Sequence, residues 1–227
     1  IDFEKLEKTI SEHDGVRLVF LTSPNNPTGD LVGRVRLERV LKACEGKALV
    51  VLDEAYIEFC NAESACELVD QWNNLVILRT LSKAWAAAGV RCGIVIADPA
   101  VIGLLQRVIA PYPLAASAID AALQAISGDA VSRQRQFVDT VLAEKAELLK
   151  FFLSCDWIRE VIPGEANFVL IRVADADGLV DWCSGRAIRI RNFTSQAQLN
   201  GCVRLTIGSA EEMAALKLAL QDYGEQA

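Results

Sequence analysis

The first half of the chain contains four side chains that could act together in one site. Asp53 and Tyr56 follow an apolar run, Lys83 lies 30 residues after Asp53, and Arg91 lies eight residues after Lys83. A lysine amine can bind an aldehyde, a carboxylate can keep a pyridine nitrogen protonated, and an arginine can hold a phosphate. These types suit pyridoxal phosphate. From spacing alone, however, solvated lysines and strand-end carboxylates remain the commoner interpretation.

Short apolar runs closed by turn residues predict the strands that must position these side chains. They cover residues 16–22, 48–52, 75–78 and 93–97, and a helical pattern covers Arg34–Cys44. Continuous apolar runs are typical of buried parallel strands, so we expect a mainly parallel α/β sheet with helices on both faces. Asp53 and Lys83 follow strand ends, where open α/β sheets bind ligands. The run 50–54 also fits the acidic strand of an ATPase, but the chain contains no GxxxxGKS or GxxxxGKT loop.

After residue 113 the pattern changes to longer helices and short strands. Helices are predicted over 115–126, 130–152, 176–184 and 210–221, and strands over 157–162, 167–173, 188–191 and 203–207. This mixture indicates a smaller α+β domain. We therefore expect part of a large domain over 1–128 and a small C-terminal domain over 129–227, which includes the long linking helix.

Composition argues against several classes of function. A formal net charge of −7 argues against nucleic-acid binding, and the single histidine, His13, excludes a multi-histidine metal site. Charged residues interrupt every long uncharged run too soon for a membrane span. Seven irregularly spaced cysteines indicate free thiols and a cytoplasmic location. Because the chain opens at Ile1, we expect that it lacks an N-terminal part.

Four motifs together resemble the class I and II aminotransferases of fold type I, which use pyridoxal phosphate. They are Ser23–Gly29 (SPNNPTG), Asp53–Tyr56 (DEAY), Arg79–Lys83 (RTLSK) and Gly89–Gly93 (GVRCG). Further segments resemble the branch of that family that acts on histidinol phosphate: Asp53–Phe59, Ile109–Leu114, and Ile188–Arg191 with Cys202–Gly208. The resemblance covers essentially the whole chain. It implies fold type I followed by a smaller α+β C-terminal domain.

The resemblance also implies how the cofactor is held. Lys83 is expected to bind it covalently and to act as the catalytic residue, and Asp53 is expected to pair with the pyridine nitrogen. Asn26 and Tyr56 are expected to bond the ring hydroxyl. Three residues are expected to bind the phosphate: Thr80, Ser82 and Arg91.

The resemblance also implies three substrate-binding residues: Arg191, Arg204 and Asn26. A phosphate ester is close to a dianion and suits two guanidinium groups, whereas the carboxylate of glutamate needs one. The resemblance thus implies that a homodimer exchanges an amino group between histidinol phosphate and 2-oxoglutarate, giving imidazole acetol phosphate and glutamate in histidine biosynthesis. Three alternatives stay open: an aminotransferase for other small amino and keto substrates, a phospho-amino-acid decarboxylase of the same fold, and an inactive truncated fragment.

Overall fold

The first sheet is built from the apolar runs of the first half of the chain. In the computed structural model, which describes residues 1–226, its strands lie side by side in chain order: β1 (Leu18–Thr22), β2 (Leu49–Asp53), β3 (Leu75–Thr80) and β4 (Gly93–Ala97). β1, β2 and β3 are parallel, and Thr22 lies opposite Asp53 at the last register position of the first pair. The predicted mainly parallel α/β sheet is confirmed.

The fourth strand differs from the prediction because β4 runs antiparallel to β3. Its first three residues are exposed rather than buried. Parallel neighbours need a crossover connection, usually a helix. Between Thr80 and Gly93 the chain instead folds back through a short 3-10 turn at Ala88–Val90. The prediction that residues 93–97 form a buried parallel strand is therefore wrong.

The helices of the first half lie on both sides of this sheet: α1 (Phe3–Glu12), α2 (Arg34–Cys44), α3 (Pro99–Val108) and α4 (Ala116–Ile126). The predicted α2 is confirmed, and its Leu37 and Leu41 are buried with Leu52 and Ile77 of the sheet. Full burial of each such side chain contributes about 1.5–3 kcal/mol. α1 and α3 have no predicted counterpart. Their N-terminal caps are aspartates whose carboxylates accept backbone N–H groups.

The second sheet is antiparallel and has the strand order β5-β6-β8-β7. Its strands are β5 (Ile158–Ile162), β6 (Phe168–Val173), β7 (Arg191–Asn192) and β8 (Cys202–Thr206). It is accompanied by α5 (Ala130–Phe152), α6 (Ala176–Ser184) and α7 (Ala210–Gly224). Across residues 1–226, no helix has both the length and the apolar composition that a bilayer crossing requires.

Strand β7 begins three residues later than predicted. Ala187 adopts a left-handed backbone conformation, with φ of 60°. The Ile188 N–H donates to the Cys183 carbonyl at 2.9 Å and so completes the end of α6. Because this segment finishes the helix, pairing with β8 begins only at Arg191.

Contacts divide the chain into two units. Of the described residues, the first unit holds 1–25 and 31–134, and the second holds 26–30 and 135–226. The boundary between the two units, after residue 134, falls inside α5. The domain boundary near residue 128 stays a prediction.

The short segment 26–30 belongs to the second unit because it packs on the loop around Gly164. Gly29 and Gly164 both have positive φ, and a Cβ on Gly164 would lie 2.6 Å from the Gly29 Cα. The Glu165 N–H donates to the Gly29 carbonyl at 2.8 Å. Buried Lys145 of α5 donates to the carbonyls of Gly164 and Ala166 at 2.7 and 2.8 Å. Asn26 therefore starts a segment that is anchored to the second unit.

Candidate active site

The carboxyl ends of the parallel strands carry the first group of candidate residues. Asp53 is the last residue of β2, opposite Thr22 of β1 and Leu78 of β3. Its Oδ1 accepts the Ala55 N–H at 2.9 Å, which fixes the carboxylate at the strand end. A carboxylate accepts several hydrogen bonds, so Asp53 can also accept one from a protonated ring nitrogen.

Tyr56 and Lys83 lie together although 27 positions separate them in the sequence. The Lys83 Nζ is 5.1 Å from the centroid of the Tyr56 ring. An ammonium at that distance from an aromatic face is attracted by the ring quadrupole. Tyr56 is buried and Lys83 is half-buried, so a phenol and a primary amine share one partly enclosed position.

Two hydroxyls meet in the turn that follows β3. The Ser82 N–H donates to Thr80 Oγ1 at 3.1 Å, and the two side-chain oxygens are 3.0 Å apart. Thr80 Oγ1 also donates to the Cys92 carbonyl at 3.4 Å, which ties this turn to the segment that contains Arg91. Arg91 has a left-handed backbone, with φ of 57°, and its Nη1 donates to the Ala88 carbonyl at 3.0 Å.

The donor set of the first unit fits pyridoxal phosphate. An amine suits its aldehyde, a carboxylate suits its pyridinium nitrogen, and a phenol suits its ring hydroxyl. Paired hydroxyls next to a segment with a guanidinium suit its phosphate. The six residues that supply these groups all belong to the first unit: Asp53, Tyr56, Thr80, Ser82, Lys83 and Arg91.

The second unit carries the remaining candidates, and two of them are direct neighbours. Arg191 of β7 and Arg204 of β8 are register partners, so their side chains start from the same face of the sheet. The Arg204 guanidinium lies 5.0 Å from the Phe168 ring centroid and 5.8 Å from that of Phe193. Its Nη1 donates to Asn26 Oδ1. Arg204 and Asn26 therefore form one polar group beside two aromatic rings, and Arg191 is the register neighbour of Arg204 in the sheet.

Some residues near these groups have no place in the sequence-based prediction. Arg79, directly before Thr80, forms ion pairs with Glu54 and Glu58, which flank Tyr56. The available signal was the pair of acidic residues four positions apart around the phenol. Phe168 and Phe193 also escaped prediction, because apolar residues in short strands look like ordinary core.

The profile of the aminotransferase class I and II family matches residues 1–220. The chain belongs to this family. The family depends on pyridoxal phosphate, and the neighbouring solved structures share fold type I.

Among curated relatives, the histidinol-phosphate aminotransferase of Pectobacterium carotovorum is 39% identical over 221 residues, which are 97% of this chain and 61% of the relative. That of Aeromonas hydrophila is 42% identical over 207 residues, or 91% of this chain and 58% of the relative. The chain thus spans about three fifths of the length of these relatives.

Two solved structures illustrate the similarity of fold. The histidinol-phosphate aminotransferase from Clostridium acetobutylicum has a TM-score of 0.89 and 23% identity, and the match covers 100% of this chain and 69% of that one. The enzyme from Sinorhizobium meliloti, in complex with pyridoxal-5'-phosphate, has a TM-score of 0.88 and 24% identity, with 99% and 61% covered.

Proposed function

We propose that this aminotransferase moves the amino group of histidinol phosphate to 2-oxoglutarate, a step of histidine biosynthesis, with pyridoxal phosphate as cofactor. Curated relatives with that activity in their names, 39% and 40% identical, support the substrate. The observation that carries the proposal is the register pairing of Arg191 with Arg204. Like charges directly opposite each other destabilise a sheet, and a bound dianion reverses that penalty.

The first unit supplies the groups that act on the cofactor and on the reacting carbon. Bound pyridoxal phosphate supplies an electron-accepting ring. Lys83 would hold the cofactor through Nζ before substrate binds, and once released by the substrate amine the same Nζ would carry the proton from the substrate carbon that bears the amine to the cofactor carbon. Asp53 stabilises a proton on the pyridine nitrogen, and Tyr56 bonds the ring oxygen from its place beside Lys83. Three residues hold the phosphate: Thr80, Ser82 and Arg91.

The second unit supplies the groups that select the substrate. Histidinol phosphate has no α-carboxylate, so its phosphate ester is the anion that must be recognised. Arg204, held by Asn26 and by two aromatic rings, has a fixed orientation. Arg191 beside it adds a second guanidinium for the phosphate, while the carboxylate of glutamate needs only one.

Substrate profiling tests this proposal. We expect the protein, with pyridoxal phosphate present, to form glutamate from 2-oxoglutarate faster with histidinol phosphate than with phenylalanine or with histidinol that lacks the phosphate. O-phosphothreonine is the comparison for decarboxylation, measured as released carbon dioxide. Release of carbon dioxide without glutamate formation, or equal rates with histidinol and its phosphate ester, would overturn the proposal.

We also propose that the protein is a cytoplasmic homodimer. Apolar side chains on α3 and α4 are exposed, including Leu104, Val108 and Leu123 at 60%, 79% and 57%. A second copy of the chain would remove them from water. Light scattering after size exclusion should give twice the chain mass. Val108→Glu should shift the measured mass toward the monomer, whereas Leu153→Glu, a change at a leucine outside these helices that is 88% exposed, should not.

A further inference from the structure

A partly buried charge network lies at the carboxyl ends of β2 and β3. Glu54 is 2% exposed, and its carboxylate accepts hydrogen bonds from Ser64 Oγ and, at 2.8 Å, from the Ala65 N–H. Arg79 Nη1 lies 3.5 Å from Glu54 Oε2, and Arg79 Nη2 donates to Glu58 Oε1 at 2.7 Å. One guanidinium thus joins two carboxylates. We name Glu54, Glu58 and Arg79 the Arg79 clamp.

The clamp and the candidate cofactor residues occupy opposite faces of the same strand ends. Glu54 directly follows Asp53, and Arg79 directly precedes Thr80. Successive side chains of a strand point to opposite faces, so the clamp acts from one face while Asp53 and Thr80 are directed to the other. The Glu54 N–H still donates to the Leu78 carbonyl at 2.9 Å, so the ladder continues into this position. The clamp therefore ties the two strand ends together where the candidate site begins.

Tyr56 lies between Glu54 and Glu58 in the sequence. The chain turns tightly there, because the Ile57 N–H donates to the Glu54 carbonyl and the Phe59 N–H to the Tyr56 carbonyl, both at 3.1 Å. Arg79 forms ion pairs with Glu54 and Glu58, the side chains at the start and near the end of that turn. Thr80 directly follows Arg79, and the turn after it leads to Lys83. The guanidinium therefore connects the segment that carries the phenol to the strand that leads to the amine.

The charges of its neighbours stabilise the protonated form of Arg79 in the clamp. Burial by itself lowers the pKa of Arg79, but the hydrogen bond to Glu58 and the charges of Glu58 and Glu54 outweigh it and raise that pKa. The guanidinium is thus charged at every accessible pH. Removing it would leave two carboxylates close together, one of them fully buried, without their cation.

We propose that Arg79, held by Glu54 and Glu58, is a positioning residue that fixes the Tyr56 phenol against Lys83. The inference rests on the proposed function, since it gives Tyr56 and Lys83 their roles at the cofactor. In this proposal Arg79 has no role of its own at the cofactor or the substrate; its side chain contacts Glu54, Glu58 and Ser64. Its effect passes through Tyr56, so it must disappear when the phenol is removed.

A double-mutant cycle tests this dependence. Pyridoxal phosphate is bound to wild type, Arg79→Met, Tyr56→Phe and the double variant, and the pH midpoint of the visible absorbance is measured for each. We expect Arg79→Met to move the midpoint in the same direction as Tyr56→Phe, and the double variant to match Tyr56→Phe alone. Misplacement by about 1 Å can cost about a hundredfold in rate, so kcat should fall about tenfold to a hundredfold while KM changes little.

Two further variants keep the result interpretable. Glu58→Gln preserves shape and one hydrogen bond, and it should give a smaller shift in the same direction even if Arg79→Met does not fold. Arg39→Met removes an ion pair of the same 2.7 Å length, to Glu7, in the same unit, and should leave the midpoint unchanged.

The outcomes separate this inference from the proposed function. An unchanged midpoint in Arg79→Met, or a shift that persists in the Tyr56→Phe background, overturns the positioning role while the function stands. Normal cofactor uptake without activity on histidinol phosphate overturns the function, and the midpoints still test the clamp. A wild-type protein that takes up no cofactor overturns both.

Discussion

Arg204 shows how much one side chain depends on its neighbours. Its guanidinium is oriented by two phenylalanine rings and by the Asn26 amide oxygen, whereas Arg191 is exposed on a strand of two residues. The sequence resemblance indicated both arginines, because they stand in recognisable motifs. It did not indicate their unequal support, since that depends on Phe168 and Phe193, whose roles no local pattern reveals.

The exposed arginine leads to a prediction about substrate choice. Arg191→Ala should weaken the half-reaction with histidinol phosphate more than the half-reaction with glutamate, because only the phosphate uses both guanidinium groups. Loss of a charge-assisted hydrogen bond costs about 1.5–3 kcal/mol, or about tenfold or more in affinity. Single-turnover rates with each substrate measure it. Arg189→Ala, at an exposed arginine two residues away, is the control. Equal losses in both half-reactions would contradict a phosphate-specific role.

At the scale of elements, periodicity predicted most of the fold, and its failures have physical causes. α2, α5 and α6 could be predicted because each carries an apolar stripe that a core buries. The direction of β4 could not, because an apolar run carries no information on orientation and no crossover helix marks the turn before it. The docking of residues 26–30 on Gly164 was equally hidden, since it joins segments more than 130 positions apart.

That docking leads to a prediction about stability. In Gly164→Ala the new Cβ would lie 2.5 Å from the Thr28 carbonyl oxygen, and residue 164 has φ of 54°. Gly46 has a similar φ of 73° with open space around it. Gly46→Ala should therefore lower the free energy of unfolding only by the cost of the left-handed backbone, about 1–2 kcal/mol. Urea unfolding should show a clearly larger loss for Gly164→Ala. Matching losses would mean that the Gly29–Gly164 contact relaxes freely.

At the scale of the whole molecule, burial divides the free cysteines into two classes. Four are buried: Cys44, Cys155, Cys183 and Cys202. Three are partly exposed: Cys60, Cys66 and Cys92. Burial raises the pKa of each of the four buried thiols above its ordinary value. The buried class thus holds less thiolate than the ordinary thiol at any given pH, and thiolate is the reactive form.

Reaction with a thiol reagent at pH 8 checks this division. The native protein should show a fast phase for the partly exposed class, and the buried class should react only after denaturation. Within the buried class, Cys44, Cys183 and Cys202 are 0% exposed, so these three should stay unreactive in the folded protein even when the pH is raised. Rapid reaction of all thiols in the folded protein would contradict the packing of both units.

The proposed chemistry depends above all on Lys83 as the residue that binds pyridoxal phosphate. The direct measurement is borohydride reduction of the protein after incubation with pyridoxal phosphate, followed by mass analysis of its peptides. We expect one pyridoxyl group, on the peptide that contains Lys83, and its loss in Lys83→Arg, whereas Lys47→Arg should be labelled like the wild type. Labelling spread over several lysines, or a label that survives in Lys83→Arg, would contradict it.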